Sequence, residues 1–521
     1  MAAIMIPFYC ASVVLLCFIQ RLSMVWRVRF AFDSWGHFYF LTAVKRQKTG
    51  PFAPIWINVA EGGPFHYPLL THWLLSLLPE ATLQKWIKAI NPFFEALWLG
   101  FCMVLSFWAE VDAVVVLGAG LLYIFTPMMF SKVAIGSTSH FTTRLYSELS
   151  TGLLLLLAFL PLPASDVVLC ILMAFLVAYI VLSSKFGLQV VLLVVLPAAL
   201  FTPKPVLVAA LIFGFIGAVA ASRGSVLNVW REQGRHLLWY LGEVRKGTVP
   251  ASDRNSLALF REALALSNTK EKLIQFGFVL AGRNSFTGLA IKFPVVIIVA
   301  LLSWGGLEGA VAANGFTVII SVAVFVFILI NSTVLIFLGE GERYLNHFAF
   351  LIILVFAEWA LTGGETIWYW LAVSWGIAYW LCELVLLGLL GLNQAREDQD
   401  GTFTTLTRIA PEGSVVLCYP YHVLPPWRLL ASSTLRPIFP IVGTGHGASR
   451  LKKMERYPFM NLSYLEELRR DFGLAFVIVK DSKLDHESKQ QLTLAGWNAI
   501  SDTKADGITI FKYSQRTDEQ E

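Results

Sequence analysis

The side chains best suited to chemistry stand just after the first apolar run. Asp33 and His37 are four residues apart and share a face if the segment is helical. His66 and His72 follow, so three of the nine histidines fall between residues 21 and 91. A carboxylate held against lipid is costly, and such placements default to a functional reading. Partly desolvated, Asp33 can be tuned towards the operating pH and take a proton. Further on, Ser139–Glu148 contains Arg144, and the run Gly339–Tyr344 contains Glu340, Glu342 and Arg343. A guanidinium is a planar fork matched to phosphate oxygens, so Arg144 and Arg343 suit an anionic substrate. His37, His66 and Glu342 complete the candidate substrate contacts. Each residue also has a bland alternative. Asp is a favoured helix cap, imidazoles at an interface mostly hydrogen-bond, and arginines anchor to lipid headgroups. Glu340 and Glu342 have Arg343 as a nearby ion-pair partner.

The elements that must position these residues are membrane helices. Hydrophobic residues make up 56% of the chain and charged residues only 14%, well under the roughly 25% charge of soluble domains. Apolar runs recur near 4–20, 92–109, 112–130, 147–162, 167–183, 187–202, 205–221, 287–304, 312–338, 347–362 and 367–391. They predict about eleven crossings, as helices rather than alternating barrel strands. The first run lacks a basic start and reads as a retained anchor. Three polar stretches interrupt the runs: a first loop at 21–91, a second at 222–286, and a tail from 394 to 521. Trp230, Leu237, Leu238 and Trp239 among Arg231, Arg235 and Arg245 predict an amphipathic helix on the bilayer surface. With an odd span count, all the polar mass lies on one face. That asymmetry suits an enzyme working at one membrane surface.

The fold class expected is therefore a polytopic α-helical membrane protein, residues 1–393, followed by a soluble α/β domain, residues 394–521. In the tail, Gly413–Tyr419 and Leu474–Val479 read as buried strands and Gly507–Tyr513 as an edge strand. Asn461–Phe472 has helical spacing, with Ser463 and Glu466 as a capping box and Gly473 as its stop. Gly443–Gly447 lacks the lysine and spacing of a phosphate loop and reads as a plain loop. Cysteines are sparse and form no metal-type pair; no cofactor is indicated, and a divalent metal has no motif.

The order of features in the first loop resembles a known family. An apolar first span, the acidic Asp33, Gly50-Pro51 and the run Tyr67-Pro68-Leu69-Leu70-Thr71-His72-Trp73-Leu74 are similar to the GT-C integral membrane glycosyltransferases. The likeness is to the polyprenyl- and dolichyl-phosphate-sugar mannosyl- and aminoarabinosyltransferase-like members. It covers roughly residues 4–160 by motif and the rest of the membrane region by topology. It implies inverting transfer of a sugar from a polyprenyl-phosphate carrier to an acceptor hydroxyl. Asp33 falls at the position of the base, with Arg144 and Arg343 as candidates to neutralise the leaving phosphate. Relatives often carry Glu-Lys where His66-Tyr67 stand here. The first loop has no Asp-x-Asp motif, as the metal-dependent oligosaccharyltransferases would. The partners implied are the lipid-linked donor, membrane lipids and a lipid, glycan or protein acceptor, with no nucleic acid. By loop charge the polar face reads as cytoplasmic; the resemblance places it, and the tail, on the extracytoplasmic side of the cell membrane. Charge counts lose force in loops longer than about 60 residues. The contrasting reading is a transporter or lipid-linked-sugar flippase, with Pro197, Pro203 and Pro205 marking a broken helix.

Overall fold

The computed structural model describes residues 2–26, 32–60, 62–131, 141–202, 204–245, 255–305, 315–332, 335–389, 394–419, 424, 426–438, 465–481, 486–500 and 508–514. The chain begins with α1 (Ala2–Trp26) and α2 (Phe32–Gln47), followed by a hairpin of β1 (Ile55–Ile57) and β2 (Gly63–Phe65). Next come α3 (Leu70–Ser76), α4 (Glu80–Trp108) and α5 (Ala113–Phe125). Asp112 caps α5, its carboxylate accepting from the Val114 N–H at 2.8 Å.

The described parts of the apolar runs read from the sequence are mostly helical, but the helices differ in length. Among the described residues four are long and apolar enough to cross a bilayer: Ile6–Trp26, Glu80–Trp108, Asp166–Ser183 and Thr366–Leu386. Two bent pairs raise the number to six if each counts as one span. Several others, including α5, Lys185–Phe201, Phe316–Ile330 and Ala349–Thr362, are shorter apolar helices. Eleven full-length crossings are therefore not found. Apolar composition fixes which segments enter the bundle, whereas caps and turns fix their length. Thus Pro197 does not break its helix, which passes through a π-helical turn at Val191–Val195 and continues to Phe201. Pro203 lies outside the described residues.

The outer surface of the bundle is apolar: Phe175, Val167, Phe213 and Phe101 are all exposed. Within, helices approach closely at glycines. A Cβ on Gly214 would lie 2.6 Å from the Val177 side chain. The two bends have local causes. Pro205–Ala221 turns by 107° into Ser225–Gly242 through Arg223 and Gly224, both in left-handed backbone conformations. Ser285–Lys292 turns by 91° into the helix Pro294–Trp304, which starts with proline at its first position, where no N–H is needed.

Arg21 departs from the sequence reading. It belongs to α1 rather than to the first loop, and it is fully buried. Its Nε donates to Glu95 Oε1 of α4 at 2.7 Å. The Tyr123 hydroxyl donates to the same oxygen at 3.1 Å, and Arg21 Nη1 donates to the Ile124 carbonyl at 2.9 Å. A charge inside the bundle is tolerated there because its partner and donors are satisfied together. The loop begins after Trp26 and ends at Glu80, shorter than 21–91 at both ends.

The C-terminal α/β domain holds a five-stranded sheet in the order β4-β3-β5-β7-β6, with strands β3 (Val415–Tyr419), β4 (Arg436–Pro437), β5 (Leu474–Lys480), β6 (Trp497–Ala499) and β7 (Ile508–Tyr513). β3 runs parallel to β4 and β5, and β7 antiparallel to β5 and β6. The last strand is thus not at the edge: β6 covers it. Only three residues of β6 pair with it, so β7 keeps the alternating pattern of a strand with one wet side. Leu465–Phe472 is helical, and Gly473 ends it at φ +68°. Ser463, Gly507 and the Gly443–Gly447 run lie outside the described residues.

This domain rests on the first loop. Trp427, Leu430 and Ala431 of the helix Pro426–Ser432 pack on Tyr39, Phe40, Ala43 and Val44 of α2. A Cβ on Gly36 would meet the Trp427 indole at 3.3 Å, so the absence of a side chain lets the two helices close. The Ala60 N–H donates to the Pro437 carbonyl at 3.2 Å, and Arg436 donates to the Ala60 carbonyl at 2.6 Å.

Candidate active site

The polar ends of the bundle close around a cavity of about 280 Å³. Three cations line it: Arg144 at the start of the helix Arg144–Phe159, Lys185 at the start of Lys185–Phe201, and Arg343 in Gly341–Asn346. Asp33, in the first turn of α2, is exposed, and its Oδ2 lies 3.7 Å from Arg144 Nη2. Arg343 Nε lies 2.5 Å from Glu340 Oε2. Gly339, at φ +113°, makes the turn that sets Glu340 at the head of this short helix. The roof is the amphipathic helix Ser225–Arg245, which brings Gln233, His236 and Tyr240 to the cavity. Gln233 Nε2 donates to the Lys185 carbonyl at 2.8 Å.

Lys185 is the residue that sequence reasoning missed. It is a lone lysine between two apolar runs, on the side that carries the other polar stretches, and that was the available signal. Its Nζ lies 5.0 Å from the Tyr67 ring centre and 5.5 Å from that of Phe65. The run that starts at Tyr67 thus meets the cavity through its first ring. Burial pushes the Tyr67 phenol up to about 12, so it stays a neutral hydroxyl.

His37 lines the cavity, but its hydrogen bonds run into the protein. Its Nδ1 lies 3.0 Å from His72 Nε2, and its Nε2 lies 3.0 Å from Thr142 Oγ1. Both rings are buried and stacked, with centres 5.2 Å apart. Burial, with Arg144 adding repulsion, pushes the His37 imidazolium down to about 3; burial, with His37 adding repulsion, also holds His72 well below the usual imidazole value. Both are neutral, and one arrangement of protons avoids burying a lone N–H. His72 Nε2–H donates to His37, whose Nε2–H donates to Thr142, leaving His72 Nδ1 as a bare acceptor. Thr142 Oγ1 also accepts from the Arg144 N–H at 3.2 Å, and Asn91 donates to the Thr142 carbonyl at 3.2 Å. The chain α3–α2–Thr142 thereby fixes Arg144 opposite Asp33.

The remaining sequence candidates lie elsewhere. His66 is half-buried against the roof helix, within electrostatic reach of Glu232 and Arg231, and burial lowers its pKa. Glu342 is buried and does not line the cavity; it lies within reach of the buried Lys292. Of the six candidates, the structure brings Asp33, His37, Arg144 and Arg343 together. Ser139 and His140 lie outside the described residues.

The helical bundle followed by a small α/β domain is a GT-C-like fold. Among solved structures it is similar to ArnT from Cupriavidus metallidurans bound to undecaprenyl phosphate, at 12% identity and a TM-score of 0.53 over 98% of each chain. It also matches the archaeal oligosaccharyltransferase AglB from Archaeoglobus fulgidus in complex with an inhibitory peptide and a dolichol-phosphate. There the identity is 11% and the TM-score 0.47, over 98% of this chain and 74% of that one. No protein-family profile and no curated protein matches the sequence.

Proposed function

We propose that this protein transfers a sugar from a polyprenyl-phosphate-linked donor to an acceptor hydroxyl, with inversion, at the extracytoplasmic face of the cell membrane. The observation that carries the reading is the convergence of Arg144, Lys185 and Arg343 on one cavity beside the Asp33 carboxylate. The three cations hold the donor phosphate and neutralise the charge that grows on it. The acceptor oxygen bonds to the anomeric carbon as the bond from that carbon to the phosphate oxygen breaks. Its proton passes to Asp33, and the electron pair leaves on the phosphate. ArnT, whose solved structure holds undecaprenyl phosphate, supports a lipid-phosphate ligand for this fold.

The test is turnover of a labelled polyprenyl-phosphate sugar by the protein in nanodiscs. An Asp33→Asn variant should lose about 10²–10⁴-fold in rate; equal activity in the two proteins overturns the mechanism. Movement of the labelled lipid across a liposome without covalent change would favour the flippase reading instead. Reporters fused after Glu521, one active only inside the cytoplasm and one only outside, test the face.

A further inference from the structure

A second cavity, of about 580 Å³, lies on the other side of α2. Trp35, Phe38 and Arg46 of α2 form one wall, Gln84 of α4 a second, and Ser432 and Thr434 of the C-terminal domain a third. With 3.6 residues per turn, His37 lies about 40° round the helix from Asp33, whereas Phe38 and Trp35 lie about 140° and 200° round. One helix therefore separates the cation-lined cavity from this one, and Asp33 stands in its first turn.

That division matches what an in-line displacement requires. The acceptor oxygen must approach the anomeric carbon from the side opposite the leaving phosphate, with the base against the acceptor. An acceptor reaching Asp33 therefore comes from beyond the cation-lined cavity. The second cavity begins at Trp35, two residues along α2 from Asp33, and extends to Arg46 near the other end of the helix. It is placed to hold a portion of the acceptor remote from the reacting hydroxyl, where binding energy assists the chemistry at a distance.

The lining tells what that portion is. Its one cation, Arg46, is already paired with Glu80 at 3.4 Å, and Gln84 donates to the same carboxylate, so it has no net charge for an anion. The walls alternate apolar groups, Trp35, Phe38, Ile87 and Ala431, with the polar Gln84, Ser432 and Thr434, a mixture that meets both the faces and the edges of a ring rather than sheathing an acyl chain. The β4 edge suits an added peptide strand poorly: Pro437 has no N–H, and its carbonyl is taken by Ala60. What remains is an aromatic floor with a hydrogen-bonding rim. The Trp35 indole is held by the Arg428 guanidinium, 5.6 Å from a ring centre. Ser433 uses its hydroxyl within the turn, donating to Leu429 and accepting from Leu435, while Ser432 and Thr434 are exposed. Such surfaces match the apolar faces and hydroxyl edges of sugar rings.

We infer that this cavity is an acceptor subsite for a neutral carbohydrate, so that the acceptor is a glycan or a glycan-bearing molecule. The inference rests on the transferase reading for its role, but its test does not need the donor. The full chain in nanodiscs is titrated with mannotetraose, arabinotetraose and maltotetraose, followed by calorimetry and tryptophan fluorescence. At least one should bind. Trp35→Ala should weaken that binding about tenfold or more, and Thr434→Trp, an exposed change that fills the cavity, should abolish it. Asp33→Asn and Lys185→Ala should leave it unchanged. Binding by none of the three, or binding indifferent to both Trp35→Ala and Thr434→Trp, overturns the subsite whatever the donor assay shows. Glycan binding with all these features, in a protein that never turns over a lipid-linked sugar, would support the subsite and overturn the transferase reading instead.

Discussion

Two groups of arginine and lysine are held by the same bundle for opposite purposes. Arg21 is sealed against Glu95, Tyr123 and the Ile124 carbonyl with no exposure. Arg144, Lys185 and Arg343 instead surround a space, and the carboxylates paired with the two arginines, Asp33 and Glu340, sit beside it. A buried charge whose every neighbour is protein is part of the scaffold. Cations that converge on a cavity leave part of their field for a ligand. Intramembrane charge alone does not mark a functional residue; the direction in which it is left incomplete does.

The largest expected effect breaks the scaffold side of this comparison. Arg21→Ala leaves Glu95 buried without its partner and should cost about 3–5 kcal/mol, seen as a large fall in melting temperature. Arg21→Met combined with Glu95→Met should recover most of it. On the other side, Lys185→Ala should barely move the melting temperature. Its loss removes a charge-assisted hydrogen bond worth about 1.5–3 kcal/mol to a phosphate, weakening polyprenyl-phosphate binding about 10–150-fold. If Lys185→Ala melts like Arg21→Ala and binds lipid phosphate normally, the distinction fails.

The imidazole pair gives a smaller, pH-dependent effect. In the unfolded chain His37 titrates near 6.5, but in the fold only near 3. Between those values the unfolded chain binds more protons, so stability is present above pH 6.5 and falls as pH falls. At pH 5 the loss from His37 alone is about 2 kcal/mol, and thermal melts in a His37→Gln variant should show a flatter slope. The smallest effect sharpens the proton assignment. His72→Gln keeps an N–H close to the imidazole Nε2 and should retain activity. His72→Leu should cost about 1 kcal/mol and lower kcat, with KM for the donor unchanged.

How much of this was legible follows from the range of each signal. Asp33 and His37 share a face through local helix geometry, which four residues of sequence reveal. The tie from His37 to His72 spans 35 residues, and only the fold of α3 onto α2 brings the rings together. Lys185 was not singled out, because nothing in its neighbours reports the Tyr67 ring it meets. Glu342 was read with Arg343 because they adjoin, yet adjacent residues on a helix point about 100° apart. Arg21 was placed in the first loop because its partner Glu95 lies 74 residues away. Composition and motif order reached the fold class. The depth and pairing of each charge needed contacts between distant segments.

The bend at Arg223 and Gly224 has a further consequence. It lays the roof helix nearly at right angles to the helix before it, across the cavity. Under the proposed transferase reading, a donor anchored by its own lipid tail reaches such a site by sliding sideways and never dissolves. Its encounters are set by how crowded the leaflet is, not by how concentrated the solution is. Saturation should therefore follow mole fraction in the bilayer: diluting vesicles in buffer leaves the rate per enzyme unchanged, while diluting the donor with inert lipid lowers it.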